Sequence, residues 1–136
     1  MDKDGSLRGL FKSHMKAPHW TPIETSATVT GTPDLEGCLD GIQIWVELKK
    51  TEGWTVEIRP SQRGWALRRV GVGGRVWVAV RQLGKARDSL WLISGAFVRE
   101  VGEYGLKANI PKLVFDGGSQ NWPWPVIQET LFRGTV

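Results

Sequence analysis

The chain has 136 residues, 40% hydrophobic and 24% charged, with a formal net charge of +4. That suits one globular unit with a real core and excludes a disordered or fibrous chain. A single cysteine, Cys38, excludes an internal disulfide and fits a reducing compartment, and no apolar run approaches the roughly 18 residues a spanning helix needs.

Met1-Asp2-Lys3-Asp4-Gly5 has no apolar stretch after a basic start, so no secretory leader is expected. Residues 4–16 read as a short helix with Ser6 as N-cap. Leu7, Leu10, Phe11 and Met15 fall on one stripe, Arg8, Lys12 and Lys16 on another, and Pro18 ends the run. His14 and His19 lack companions at metal-ligand spacing and read as surface or phosphate-contacting residues, not zinc ligands. Residues 22–30, with Ile23, Thr25, Thr28 and Val29, are moderately β-prone. Glu24 in this segment reads either as a third carboxylate of the site described next or as an exposed strand residue.

Gly31-Thr32-Pro33 bends the chain into the stretch that organises the rest. Pro33 cannot donate a ladder hydrogen bond and belongs at a strand's first position. Asp34 opens one strand, Asp40-Gly41 makes a type I′ turn, and Ile42 to Lys50 forms the second strand. A two-residue turn there sets Leu39 across from Ile42 and therefore Asp34 across from Glu47. Directly opposed residues have Cβ atoms about 4.5–5.5 Å apart, and like charges there destabilise a sheet. A hard divalent cation held by both carboxylates reverses that sign. Alternation puts Gln43, Trp45, Glu47 and Lys49 on one face, and Ile42, Ile44, Val46 and Leu48 on a core face. Glu-x-Lys alone is a commonplace surface pattern. The register and the preceding Pro-Asp give it chemical meaning.

Thr51-Glu52-Gly53 is a turn, and Trp54 to Ile58 a short strand or extended connection. Pro60-Ser61 starts a helix over 61–71 with Ser61 able to cap. It presents Gln62, Trp65 or Ala66, and Arg69 on one face, while Leu67 and Val70 reach the core. Gly71 and Gly73-Gly74 stop it. A strand over 75–82 follows, with Val76, Val78 and Val80 on one face and Arg75, Trp77, Ala79 and Arg81 on the other. Residues 84–88 turn and 89–94 form another strand. Residues 96–104 read as helix or extended chain, 107–118 as connection with a short strand near 113–115. Trp122-Pro123-Trp124-Pro125 opens a last helix with a stripe of Val126, Ile127, Thr130 and Leu131. The expected fold class is α/β or α+β, a central mixed sheet flanked by helices. The division expected is an N-terminal helix in 1–20, a core in 22–94 and a C-terminal extension in 95–136, all within one domain.

Charge is unevenly placed. Arg59, Arg63, Arg68, Arg69, Arg75, Arg81, Lys85 and Arg87 occur with no acid among them, which suits a polyanionic partner. Eight tryptophans are many for this length. Most belong to a core, and one or two are open to stacking on unpaired bases.

These residues resemble the PD-(D/E)XK nuclease superfamily. The matching motif is Pro33-Asp34, twelve intervening residues, then Glu47-Leu48-Lys49. The likeness is strongest to the small VRR-NUC nucleases and phage-encoded Holliday junction resolvases. It extends to Gly31-Thr32-Pro33-Asp34-Leu35, to Trp45 through Lys49, to Arg59-Pro60-Ser61-Gln62-Arg63-Gly64-Trp65 and to Gly73-Gly74-Arg75-Val76-Trp77-Val78, roughly residues 23–82.

The resemblance implies a restriction-endonuclease-like core and a divalent-metal-dependent hydrolase of DNA phosphodiester bonds. It implies Mg²⁺, with Mn²⁺ able to substitute, held by Asp34, Glu47 and the Leu48 carbonyl. Lys49 would position the attacking water or stabilise phosphate charge, and Gln62 would orient Lys49 or the water. Glu24 would take the upstream acidic position as metal and catalytic residue. Many relatives carry that carboxylate on an N-terminal helix, and residues 5–16 hold no acid here. Arg59, Arg63, Arg68, Arg69 and Arg75 would bind DNA. The implied protein is a homodimer acting on branched DNA in recombination, cytoplasmic, in the host cytoplasm if phage-encoded, with no membrane partner. Two competing readings are a sequence-specific restriction-type endonuclease and a non-catalytic DNA-binding protein using the basic stretch with Trp65 and Trp77. A purely structural or protein-interaction role is a third.

Overall fold

Asp40 and Gly41 both hold positive φ, 53° and 80°, as a type I′ turn requires. Strand β2 (Leu35–Leu39) therefore folds back on β3 (Ile42–Thr51), pairing Leu39 with Ile42 and Leu35 with Val46. The computed structural model describes residues 4–24 and 30–135. Around the hairpin, helix α1 (Leu7–His14) and β1 (His19–Pro22) precede it, and α2 (Pro60–Gly71), β4 (Arg75–Gly84) and β5 (Arg87–Ser94) follow. A 3₁₀ turn leads into α3 (Val98–Tyr104), another follows it, and β6 (Leu113–Phe115) and α4 (Trp124–Arg133) complete the described chain.

The six strands lie in sequence order, β1 to β6. Only β3 and β4 run parallel; the other neighbours are antiparallel. The parallel pair needs a crossover, and α2 supplies it. The architecture is α+β, a mixed sheet with helices on both faces. On one face Ile44, Val46, Leu48, Trp77 and Ala79 pack under α1 and α4 with Leu7, Phe11, Ile127, Leu131 and Phe132. On the other, Val76, Val78, Val80 and Ile93 pack under α2 and α3 with Trp65, Ala66, Val98 and Val101. Glu47 and Lys49 therefore belong to a face that a helix covers, not to a solvated one. Among the described residues no helix is long and apolar enough to cross a membrane.

Several local expectations are corrected. Ser6 sits at the N-cap of α1 with φ 63° and makes no cap bond through its side chain. The Asp4 carboxylate does this work, accepting from the N–H groups of Ser6 (3.0 Å) and Arg8 (3.3 Å). Ser61 does not cap α2 either. Pro60 takes the first helical position and Arg59 the cap. A strand forms at His19–Pro22, where Trp20 turns inward onto Phe11 and Phe132, and it reaches only the first residue of the β-prone stretch 22–30. Thr25, Thr28 and Val29 lie outside the described residues. On α4, Ile127 and Leu131 are buried as expected, but Trp124 and Phe132 complete the stripe, while Val126 is exposed and Thr130 half-buried.

Candidate active site

The β2–β3 ladder ends at Leu35–Val46, and counting one and two residues further reaches Asp34 and Pro33. The Asp34 carbonyl accepts the Ile23 N–H at 2.9 Å, so Asp34 turns its backbone toward β1 and the chain on either side of it turns toward β3. Asp34 thus lies opposite Glu47, and Pro33 opposite Leu48. A ladder pair at that point asks residue 33 for an N–H that proline lacks. Leu48 is almost wholly buried. Its N–H is taken by the Asp34 side chain, which accepts at Oδ2 over 3.0 Å. The Pro-Asp dipeptide therefore aims a carboxylate at the β3 backbone at Leu48.

Glu47 is only 6% exposed, under α2 and within hydrogen-bonding reach of the Asp34 carboxyl group. Burial first, then the Asp34 charge and the hydrogen bond to it, push its pKa up to about 9 against the opposing pull of Lys49 and Arg59. Gln62 of α2 ties the group together. Its Nε2 donates to Glu47 Oε2 at 3.3 Å, and its Oε1 accepts from Lys49 Nζ at 3.0 Å. The same Oε1 accepts the Arg59 N–H at 2.9 Å, so the residue that closes the start of α2 also orients the lysine. Lys49 Nζ stands 3.8 Å from Glu47 Oε2. Asp34, Glu47, Leu48, Lys49, Arg59 and Gln62 line one cleft of about 540 Å³ together with Lys50, Thr51, Glu52 and Glu57.

Two carboxyl groups pressed together, one of them buried with its pKa pushed up, form an oxygen-donor set at the β3 backbone. That set suits a hard divalent cation. Asp34, Glu47 and the Leu48 carbonyl are the groups that would hold it. Among the described residues no three His, Cys, Asp or Glu side chains gather closely enough to form a metal site by themselves. Compared with protein-family models the chain matches none, and no curated protein matches it either.

Glu24 is not brought into this cleft. Its side chain is 77% exposed and meets Arg8 at 3.9 Å, while Arg8 also donates to the Asp34 carbonyl.

The five arginines expected to bind DNA also separate. Arg59 lines the cleft. Arg63 and Arg68 stand half-buried and exposed on α2 without lining it. Arg69 lies over the rings of Trp45 and Trp65, 5.1 and 4.6 Å from their centroids. Arg75 is structural. It donates to the carbonyls of Leu131 (2.9 Å), Thr130 (3.4 Å) and Gly134 (2.8 Å), neutralising the C-terminal end of α4. Arg75→Ala should lower unfolding stability by about 1.5–3 kcal/mol, read in a urea titration. An unchanged midpoint would place its function elsewhere. Trp65 and Trp77 are buried in the two cores and unavailable to bases. His14 stacks on Trp124 at 4.7 Å, and His19 is exposed on β1.

Proposed function

We propose that the chain is a divalent-metal-dependent endonuclease that hydrolyses DNA phosphodiester bonds, a nuclease of the PD-(D/E)XK kind. The observation that carries this reading is the convergence of Asp34 and Glu47 with Lys49 held beside them by Gln62. Mg²⁺ or Mn²⁺ bound by Asp34, Glu47 and the Leu48 carbonyl would polarise a phosphate oxygen and make water a stronger nucleophile near neutral pH. The chain's own groups do the rest. Gln62 fixes Lys49, whose ammonium then meets charge developing on the phosphate without reorganisation. Arg59, at the cleft wall, pairs with a neighbouring phosphate. A protein that only binds DNA gains nothing from setting two carboxylates against phosphates.

Selectivity for branched DNA and a homodimeric state follow from the sequence resemblance to VRR-NUC and Holliday junction resolvase nucleases. The test is incubation with four-way junctions, flaps and linear duplexes in Mg²⁺, in Mn²⁺ and in EDTA. Strand breaks in the metals, none in EDTA, and junctions cut ahead of duplexes are expected. Cutting that persists in EDTA, or intact DNA of every shape in both metals, overturns the proposal. Efficient cutting of one linear sequence would instead favour a restriction-type enzyme.

A further inference from the structure

Trp54 is the one exposed tryptophan of the eight, at 41%. It stands in the loop between β3 and α2 whose carboxylates, Glu52 and Glu57, line the cleft. Its backbone is clamped on both sides. The Gly53 carbonyl accepts from Gln82 Nε2 and the Trp54 carbonyl from the Leu106 N–H, each at 2.7 Å. The second contact demands glycine at 105, where φ is +68° and a Cβ would come within 2.1 Å of the Trp54 carbonyl oxygen.

Two cations from separate elements lie over the indole. The Arg87 guanidinium, at the start of β5, is 5.4 Å from the ring centroid, and the Lys107 ammonium 4.9 Å. Gln82 Oε1 steadies Arg87 and also accepts the Trp91 indole N–H, both at 3.0 Å. Trp91 meets Trp54 edge to face at 6.1 Å. Covering Trp91 accounts for that edge contact. It does not account for a backbone held at two points or for two exposed cations drawn to one ring. An aromatic plate on a rigid mount, flanked by two exposed cations, suits an unpaired strand of nucleic acid.

We propose that Trp54, with Arg87 and Lys107, forms a stacking platform for an unpaired base of a strand that passes out of the cleft. A base lies on the indole while Arg87 and Lys107 move from the ring to the adjoining phosphates. The cleft runs along β3 toward this loop, and Thr51 lies about 13 Å along the strand from Glu47. The platform would thus engage a strand at some distance from the bond being cut and would favour DNA with unpaired segments over continuous duplex. The proposal takes its polymer from the nuclease reading above.

Fluorescence anisotropy in EDTA, where no cleavage occurs, separates the two. The probes are a labelled duplex carrying a single-stranded tail and the same duplex with blunt ends. Trp54→Ala should weaken binding of the tailed probe about tenfold and leave the blunt one unchanged. Trp54→Phe, which keeps a smaller ring against Trp91, should fall between. Lys107→Ala, at an exposed position, should reduce the salt dependence of tailed-probe binding by about one ion. Where Trp54→Ala does not fold, the other two variants decide. Folded variants that bind the tailed probe like the parent overturn the platform, as does a parent that ignores the tail. Tail-dependent binding through Trp54 in a protein that cuts nothing with metal leaves the platform standing and removes the nuclease reading.

Discussion

Asp34→Asn, Glu47→Gln and Lys49→Ala each abolish or nearly abolish metal-dependent DNA cleavage while DNA binding in EDTA persists. Loss of the lysine alone should cost about 10²–10³ in single-turnover rate, the usual effect of removing one charge-stabilising donor. The carboxylate changes should reach background, because no other acid among the described residues approaches the pair closely enough to complete a metal site. Glu47→Gln is the sharpest of the three. The amide has the shape of the acid, can still accept from Gln62 Nε2 and can donate to Asp34, so the local structure survives and only the ability to ionise is removed. A Glu47→Gln protein with full activity removes the basis of the assignment. Gln62→Ala should act in two ways at once, slowing cleavage by releasing Lys49 and weakening the start of α2 by leaving the Arg59 N–H without its acceptor.

The same Glu47→Gln change should stabilise the metal-free protein, by an amount that grows with pH. In the unfolded chain Glu47 loses its proton near its ordinary value of 4.5; in the fold burial and Asp34 hold it to about 9. Between those values the folded state binds more protons than the unfolded one, so stability falls as pH rises. The fold has its full share of this stability below the lower value and has lost it above the upper one. Near pH 9 the ionised, buried carboxylate costs a few kcal/mol, which glutamine avoids. Melting in EDTA should therefore find Glu47→Gln above the parent by on the order of 10 °C at pH 9, with the gap closing toward pH 5. Adding Mg²⁺ should raise the parent's melting temperature, more so at pH 8 than at pH 6, because the cation competes with a proton. It should leave the variant nearly unmoved. A parent that melts at one temperature from pH 5 to pH 9 with no metal contradicts the placement of Glu47.

Activity and stability thus pull in opposite directions at one residue. A carboxylate that lowered the stability of the empty fold and proved indispensable to cleavage would bear the expected mark of a functional site.

Legibility varied along the chain for physical reasons. The hairpin could be read because Asp-Gly admits few turn geometries, and a two-residue turn sets every pair that follows. From that register came the meeting of Asp34 with Glu47, at a separation where only the turn linked them. The opposite faces of β4 were equally plain, since alternation in Val76 to Arg81 depends on the backbone alone. Helix starts were read less well. Serine at positions 6 and 61 satisfies the compositional rule for a cap, yet Asp4 and Gln62 reached the free N–H groups first. The arginines do not form one set in the fold, because closeness in sequence says nothing about what a long side chain meets across it. Arg75 finds the end of a helix more than fifty residues away. Trp54 was passed over for the opposite reason, since nothing in its neighbours marks it as the tryptophan left outside.

The amino-acid order by itself determined the turn, the pairing that follows from it and the facing of two acids, because these rest on backbone geometry over a short span. Tertiary structure alone decided that α2 would lie over Glu47 and lift its affinity for a proton. It also decided that Gln62 would bridge the acid and the lysine, that Glu24 would point away, and that Arg75 would be spent on α4. Those outcomes depend on which element packs over which, and desolvation and long-range hydrogen bonding come into being only when the layers close.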